Sequence, residues 1–406
     1  MAMAARKPSV VIVDRISSIP RHQWNSLLEP DDSPFVEWDW LHALEESGCV
    51  GQRAGWMPAH LAVREAADAQ LLAACPVYLK SHSMGEFVFD HAWAEAAVRR
   101  GLSYYPKLVV AVPFTPHTGR RFLTRPGSDR ARLCALLAAS LAALCTDNKL
   151  SSAHVNFCLP DEAEALGRAG FIERLGYQYH WRNSGFTAFE DYLSQLRHKR
   201  RYAIKYERSK LAAQNISTRV YQGEEIPDSL FGPMFDLYRS TVEKFYWGQQ
   251  YLRKKFFELL RSSFKSKLCF VCAYQGDRLL GGTFNVQKAG VFYGRYWGCY
   301  EEIKYLHFDV SYYTAIEHCI RNRLTRFEPG AGGDYKWLRG FDPTATFSAH
   351  LIVHPYLRRA IADAVARERR EVENWIAFGR ANTQFKLPPS NSDEPAPMRN
   401  ASGDES

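Results

Sequence analysis

The segment Phe327 to Phe341, FEPGAGGDYKWLRGF, sets two carboxylates, a tyrosine, a lysine and an arginine around a Gly-rich run. A strand ending at Glu328 runs into Pro-Gly-Ala-Gly-Gly, where a backbone poor in Cβ atoms can approach a ligand closely. The loop then delivers Asp334, Tyr335, Lys336 and Arg339 to the same neighbourhood. Carboxylates (Glu328, Asp334), a lysine and an arginine beside such a loop suit acyl transfer to an amine. Lys336, read as an exposed loop residue, would stabilise the developing oxyanion or hold a donor phosphate, while Arg339 and Tyr335 would bind substrate. A tight turn with solvated charges is the competing reading.

Two basic zones suggest phosphate-bearing ligands. One is TPHTGRR (Thr115 to Arg121), whose Thr118, Gly119, Arg120 and Arg121 form a candidate phosphate loop between a strand and a helix, or else a plain surface turn. The other is a helix expected over 190 to 213. Its Arg197, Arg201, Lys205 and Arg208 make a ladder that could track a phosphate backbone, flanked by Tyr202 and Tyr206. Arg200, counted as substrate-binding, and Glu207 fall on the apolar stripe of this helix, at its margin or facing a polar cleft. His82, Glu86, Asp90 and His91 form a polar group around an expected strand; Asp90 and Glu86 are candidate substrate ligands there, with ordinary strand-end hydrogen bonding as the alternative. His350 and His354 share a strand face but lack nearby acidic or cysteine ligands, so no metal is expected. The pair Cys269 and Cys272 sits at an offset of three in a strand, which sends the sulfurs to opposite faces.

These residues need elements to carry them. The chain has 406 residues, 46% hydrophobic and 14% aromatic, enough for two or three domains with cores. Lysine and arginine exceed aspartate and glutamate by 8. The apolar run Val10 to Val13 is too short for a signal core, and Cys134 to Cys145 is too short to span a bilayer. Nine cysteines without repeated spacing fit reduced thiols. A soluble, cytoplasmic protein with no stable membrane insertion and no DNA partner is expected. GxSxG, HExxH and GxxxxGK[ST] patterns are absent from the sequence, which removes the serine hydrolase, zincin and P-loop readings.

Strands are expected at 60 to 65, 71 to 80, 86 to 90, 107 to 114, 153 to 159 and 176 to 182, with helices near 38 to 47 and 128 to 146. The second half repeats the plan, with a meander over 267 to 298, a helix over 309 to 323 and a strand over 325 to 328. The fold class expected is α+β, a mixed sheet flanked by helices, built twice. Domains are set at 1–185 and 186–386, meeting near 183 to 190 where the first sheet ends. The segment 387–406 is Pro, Ser and acid rich and reads as a disordered tail.

FVEWDWLHALEESG, YLKSHSMGEFVFDHAWA, YYPKLVVAVPFTPHTGRR, GYQYHWRN, FEPGAGGDYKWLRGF and SAHLIVHP together resemble the FemAB-like N-acyltransferases, a family labelled for peptidoglycan biosynthesis or recognition. The resemblance spans Phe35 to Pro355 and implies two tandem GNAT-like domains. It also implies transfer of an acyl or aminoacyl group to an amine, on a cell-wall precursor or another small metabolite. By the match to the family's basic aromatic stretch near the C-terminus, the lysine implicated in transfer is Lys336, with Arg339 the nearby alternative. Acetyl-CoA-using relatives open a central helix with Arg/Gln-x-x-Gly-x-Gly/Ala; EEIKYLHFDVSYY has no such glycines. Aminoacyl-tRNA is therefore favoured over acyl-CoA as donor co-substrate, with no permanently bound cofactor. The rival from another class is a non-catalytic binding protein with degenerate GNAT domains that engages RNA or a phosphorylated glycan.

Overall fold

A computed structural model describes residues 8–65, 70–244 and 250–386. The expected tail over 387–406 lies outside them. Fifteen strands occur among the described residues: β1 Ser9–Val13, β2 Trp56–Pro58, β3 His60–Arg64, β4 Leu71–Cys75, β5 Val77–Lys80, β6 Lys107–Val110, β7 Leu123–Thr124, β8 Ser152–Cys158, β9 Ile172–Arg182, β10 Ile216–Gln222, β11 Leu268–Gln275, β12 Arg278–Lys288, β13 Val291–Cys299, β14 Arg326–Glu328 and β15 Asp342–Ile352. A small sheet has the order β1-β3-β4-β7. The large one holds eleven strands in the order β10-β11-β12-β13-β14-β9-β15-β8-β6-β5-β2.

The repeat is visible in the strand directions. β6 and β8 are parallel, and β13 and β14 are parallel; every other pair in the large sheet is antiparallel. Parallel strands need a crossover. The apolar helix Arg130–Asp147 supplies it in the first half, and the run Leu306 to Arg321 does so in the second. This is the mixed α/β architecture of two tandem GNAT-like units.

The last strand of each unit is exchanged. β9, from the first half, pairs with β14 of the second, and β15, from the second half, pairs with β8 of the first. β9 and β15 then pair with each other over Asp342↔His180 to His350↔Ile172. The expectation that one sheet ends at 182 is thus corrected, because the sheet runs on through β14 and β9. A division at 185/186 describes the chain order, while β15 and the helix Pro355–Ala381 pack with the first unit and on β9. That long helix had no counterpart in the sequence reading.

Two local expectations also change. Glu86 to Asp90 is a loop and not a strand, with Phe87 at φ 60. The helix expected over 190 to 213 is two, Phe189–Gln195 and His198–Ala212, separated where Leu196 turns extended to bridge Phe385. β11 is buried on both faces, which places Cys269 and Cys272 in different apolar clusters; all nine cysteines are free and buried. Among the described residues no helix is long and apolar enough to cross a membrane.

Candidate active site at the junction of the two units

Two motifs from opposite halves meet. His117, from TPHTGRR, places Nδ1 3.2 Å from Oε2 of Glu328 at the end of β14. Both side chains are buried. The imidazole stacks on Phe35 at 5.3 Å and meets Tyr293 edge-on, so its orientation is fixed. Burial alone would raise the Glu328 pKa, but neighbouring His180, the bond from His117 and the Arg326 guanidinium 2.8 Å away bring it down to about 2. An ionised carboxylate can only accept, so Nδ1 carries the proton. Burial lowers the His117 pKa although the nearby Gly294 backbone acts against it, so the ring is neutral with Nε2 unprotonated; that atom is itself buried and makes no direct hydrogen bond among the described residues. A base oriented by a carboxylate is the arrangement proton abstraction requires.

The Gly-rich loop follows directly. Lys336 is 2% exposed and its Nζ donates to the carbonyls of Gly330 at 2.8 Å, Ala331 at 3.2 Å and Pro329 at 3.5 Å. This corrects the expectation of an exposed loop lysine: its ammonium is spent inside the loop. Drawing three carbonyls inward has a consequence, because in a trans peptide each N–H points opposite the preceding C=O. The N–H groups of Gly330, Ala331 and Gly332 therefore face away from Lys336, and none has an acceptor among the described residues. Burial lowers the Lys336 pKa to about 7.

Ala331 and Gly332 line a cavity of about 370 Å³ at the midpoint of the exchanged strands, where Gly176 pairs with Thr346. A Cβ on Gly176 would come within 2.9 Å of the Thr346 hydroxyl, so a side chain there would force that hydroxyl to move. Gln178 joins this cavity to the His117 segment: it lines the wall, and its Nε2 donates to the Pro116 carbonyl at 2.7 Å. Arg295 of β13 clamps the same segment through the Phe114 carbonyl at 2.7 Å.

The other expected residues divide. Arg339 is buried, donating to Tyr313 Oη at 2.9 Å and to the Tyr335 carbonyl, with Glu207 at 3.5 Å. Glu207 also accepts from Tyr313, so this carboxylate of the helix His198–Ala212 faces inward to a polar contact. Tyr335 is 39% exposed, and Asp334 is exposed and accepts from Tyr179 at 3.1 Å. Arg200 holds Gln384 at 3.0 Å and so is part of the packing of the chain's end. Glu86 and Asp90 both engage the buried ammonium of Lys107.

TPHTGRR is not an open phosphate loop. Arg120 pairs with Asp32, Nε to Oδ1 at 2.6 Å. Arg121, fully buried, donates to the carbonyls of Asn156, Gly119 and His117 at 2.8, 3.1 and 2.6 Å. The backbone N–H groups of Arg121 and Phe122 are taken by the Glu162 carboxylate. Thr118 is half-buried, with no hydroxyl partner among the described residues. Arg197, which precedes the helix His198–Ala212, and Lys205 within it are exposed, and Arg201 is half-exposed.

A second cavity of about 260 Å³ was not foreseen. Arg53 of the first half and Arg253 of the second line it with His82, Trp56, Phe114 and Tyr251, and no carboxylate is among its lining residues. Neither guanidinium has an acidic partner among the described residues, so the cavity is electropositive. The two arginines are 200 positions apart, too far for any local pattern to join. His350 pairs with the buried His154 and not with His354, which is exposed. No group of three metal-ligating side chains occurs among the described residues.

Comparison with known proteins fits this frame. FemX is similar in fold, with a TM-score of 0.51 at 10% identity over 85% of this chain and 98% of FemX. The C-terminal domain of a protein assigned as a lysylphosphatidylglycerol synthetase from Agrobacterium fabrum gives 0.51 at 8% identity over 84% and 95% of the two chains. A tandem GNAT protein from the clavulanic acid biosynthesis pathway gives 0.44 at 13% identity, over 86% and 99%. No curated protein is significantly similar in sequence. The family model described as peptidoglycan biosynthesis/recognition matches residues 15–387, and the chain belongs to this FemAB-like family.

Proposed function

We propose that the protein is an N-acyl or aminoacyl transferase that forms an amide on an amine acceptor of the cell-wall-precursor class, with chemistry at the junction of the two units. The observation that carries this reading is the bare Nε2 of His117, oriented by Glu328 beside a Gly-rich loop whose N–H groups are aimed by Lys336. An ammonium acceptor must lose a proton before it attacks, and His117 is the base for that step. The tetrahedral intermediate then needs donors, for which the N–H groups of Ala331 and Gly332 are suited. Lys336 acts by holding the loop, and Arg339 by bracing it from Tyr335.

The acceptor's phosphates fit the Arg53–Arg253 cavity, where guanidiniums from both halves would close on an anion. Aminoacyl-tRNA is the favoured donor, approaching the outer face of the helix His198–Ala212 through Arg197, Arg201 and Lys205, with acyl-CoA as the other candidate. The nine reduced thiols suit a cytoplasmic setting.

The test is to incubate the purified protein with phosphorylated amine acceptors and either charged tRNA or acyl-CoA. A new amide mass that requires the charged tRNA and vanishes with RNase supports the full reading. An amide made from acyl-CoA alone keeps the transferase and removes the tRNA donor, and binding without product under every donor leaves a binding protein.

A further inference from the structure

The tripeptide Ser-Ala-His stands on both strands of the β8–β15 pair, as Ser152–Ala153–His154 and Ser348–Ala349–His350, and the register sets His154 opposite His350. Alternation in a strand puts each serine on the same face as its histidine. Ser348 lines the central cavity, and its hydroxyl is 3.0 Å from His350 Nε2. His350 Nδ1 is 2.7 Å from His154 Nδ1, and His154 Nε2 is 2.8 Å from Ser152 Oγ. Ser152 Oγ is 3.1 Å from Ser151 Oγ. Both histidines and Ser152 are buried, whereas Ser151 is half-exposed. A file of five side chains therefore runs from the cavity to the surface without a gap wider than a hydrogen bond.

Two Nδ1 atoms at this distance hold one proton between them, since two lone pairs or two N–H groups would repel. With the proton on His350 Nδ1, His350 Nε2 accepts from Ser348, while His154 accepts at Nδ1 and donates from Nε2 to Ser152. Ser151 donates to the Tyr104 carbonyl and keeps a lone pair for Ser152; to pass a proton on, its hydroxyl turns from that carbonyl to water and gives up its proton as Ser152 supplies another. Reversing each bond in turn gives the other state of the same file. Burial lowers both histidines well below their usual pKa, so each imidazole stays neutral, the form that donates and accepts at once. The charged groups facing them are Asp90, 3.9 Å from His154 Nε2, its partner Lys107, and Arg174; Trp93 covers both rings.

We propose that Ser348, His350, His154, Ser152 and Ser151 form a proton conduit between the cavity and solvent. Its purpose rests on the transferase reading. Aminolysis makes a C–N bond and breaks the acyl bond to the leaving group, which keeps the electron pair and takes one of the ammonium's two lost protons. The second proton must leave the cavity as H⁺, and the file gives it a path besides the cavity's mouth at Phe89, Ala331 and Gly332.

The experiment needs no turnover. In the full chain labelled with ¹⁵N-histidine, NMR should detect one N–H shared between the two Nδ1 atoms, and its exchange with D₂O is timed. Ser152→Ala cuts the exit and should slow that exchange ~10-fold or more while backbone amide protection of β8 and β15 stays unchanged. Ser348→Ala, at the cavity end, should slow it less. Equal exchange in the native chain and Ser152→Ala, or no proton between the rings, overturns the proposal. If Ser152→Ala does not fold, Ser151→Ala at the half-exposed end reads the same loss. Failure to form any amide would remove the transferase reading and leave the exchange result standing.

Discussion

The loops Thr115 to Arg121 and Glu328 to Arg339 read alike in sequence, each a strand end followed by glycine and cations, yet the structure uses their charges differently. In the first, both arginines turn inward to Asp32 and to backbone carbonyls, and the neutral histidine before them keeps a buried ring nitrogen without a direct hydrogen bond. In the second, the lysine turns inward to three carbonyls, and the open groups are backbone N–H. In both, the cation is scaffolding and a neutral group keeps unused hydrogen-bonding capacity. The lesson is that a buried charge fixes a loop's shape when enough oxygens surround it, and the shape then presents the reactive group.

The most severe way to break this comparison is Arg121→Met, which strips donors from three buried carbonyls. A loss of ~3 kcal/mol or more is expected, read by denaturant unfolding, because orphaned buried acceptors lose their full compensation. Retained stability would mean the loop is held by something else. His117→Gln should do the opposite, cutting amide formation ~100-fold or more while the melting temperature barely moves.

Lys336→Met combines both effects. It keeps the apolar stem but frees the carbonyls, so turnover should fall ~100-fold through misaimed N–H groups and stability should fall as well. Its pH signature has a definite sign. The folded pKa of about 7 lies below the unfolded value of 10.5, so the unfolded chain binds the extra proton between them and stability rises with pH across that window. The native chain should therefore gain on the order of 1–3 kcal/mol relative to Lys336→Met between pH 7 and 10. Parallel pH profiles for the two proteins would show that the lysine is charged and solvated.

Outside the two loops, Arg53→Ala should weaken binding of a phosphorylated acceptor ~10-fold with turnover nearly unchanged, and the loss should shrink at high salt. Lys205→Ala, on an exposed face, should alter stability by less than ~0.5 kcal/mol and affect only tRNA binding.

What could be read beforehand follows from how far apart the partners lie. The repeated meander, crossover helix and strand were legible because each is local, and the motif Glu328 to Arg339 was legible because its glycines and charges are adjacent. The strand exchange was not, since nothing in IERLGYQYHWR says which of two equivalent neighbours it will join. His117 lies in the motif Thr115 to Arg121, where glycine and arginines imply a phosphate loop, and the burial of those arginines depends on tertiary contacts with Asp32, Asn156 and Glu162. Arg53 with Arg253 and His154 with His350 are pairs made by topology alone.

The most direct measurement is the rate of amide formation by native protein and His117→Gln from one matched preparation, with melting temperatures recorded alongside. The expected result is product from the native chain and a rate ~100-fold lower in the variant at an unchanged melting temperature. Equal rates would show that the junction of the two units is not where the proton is removed.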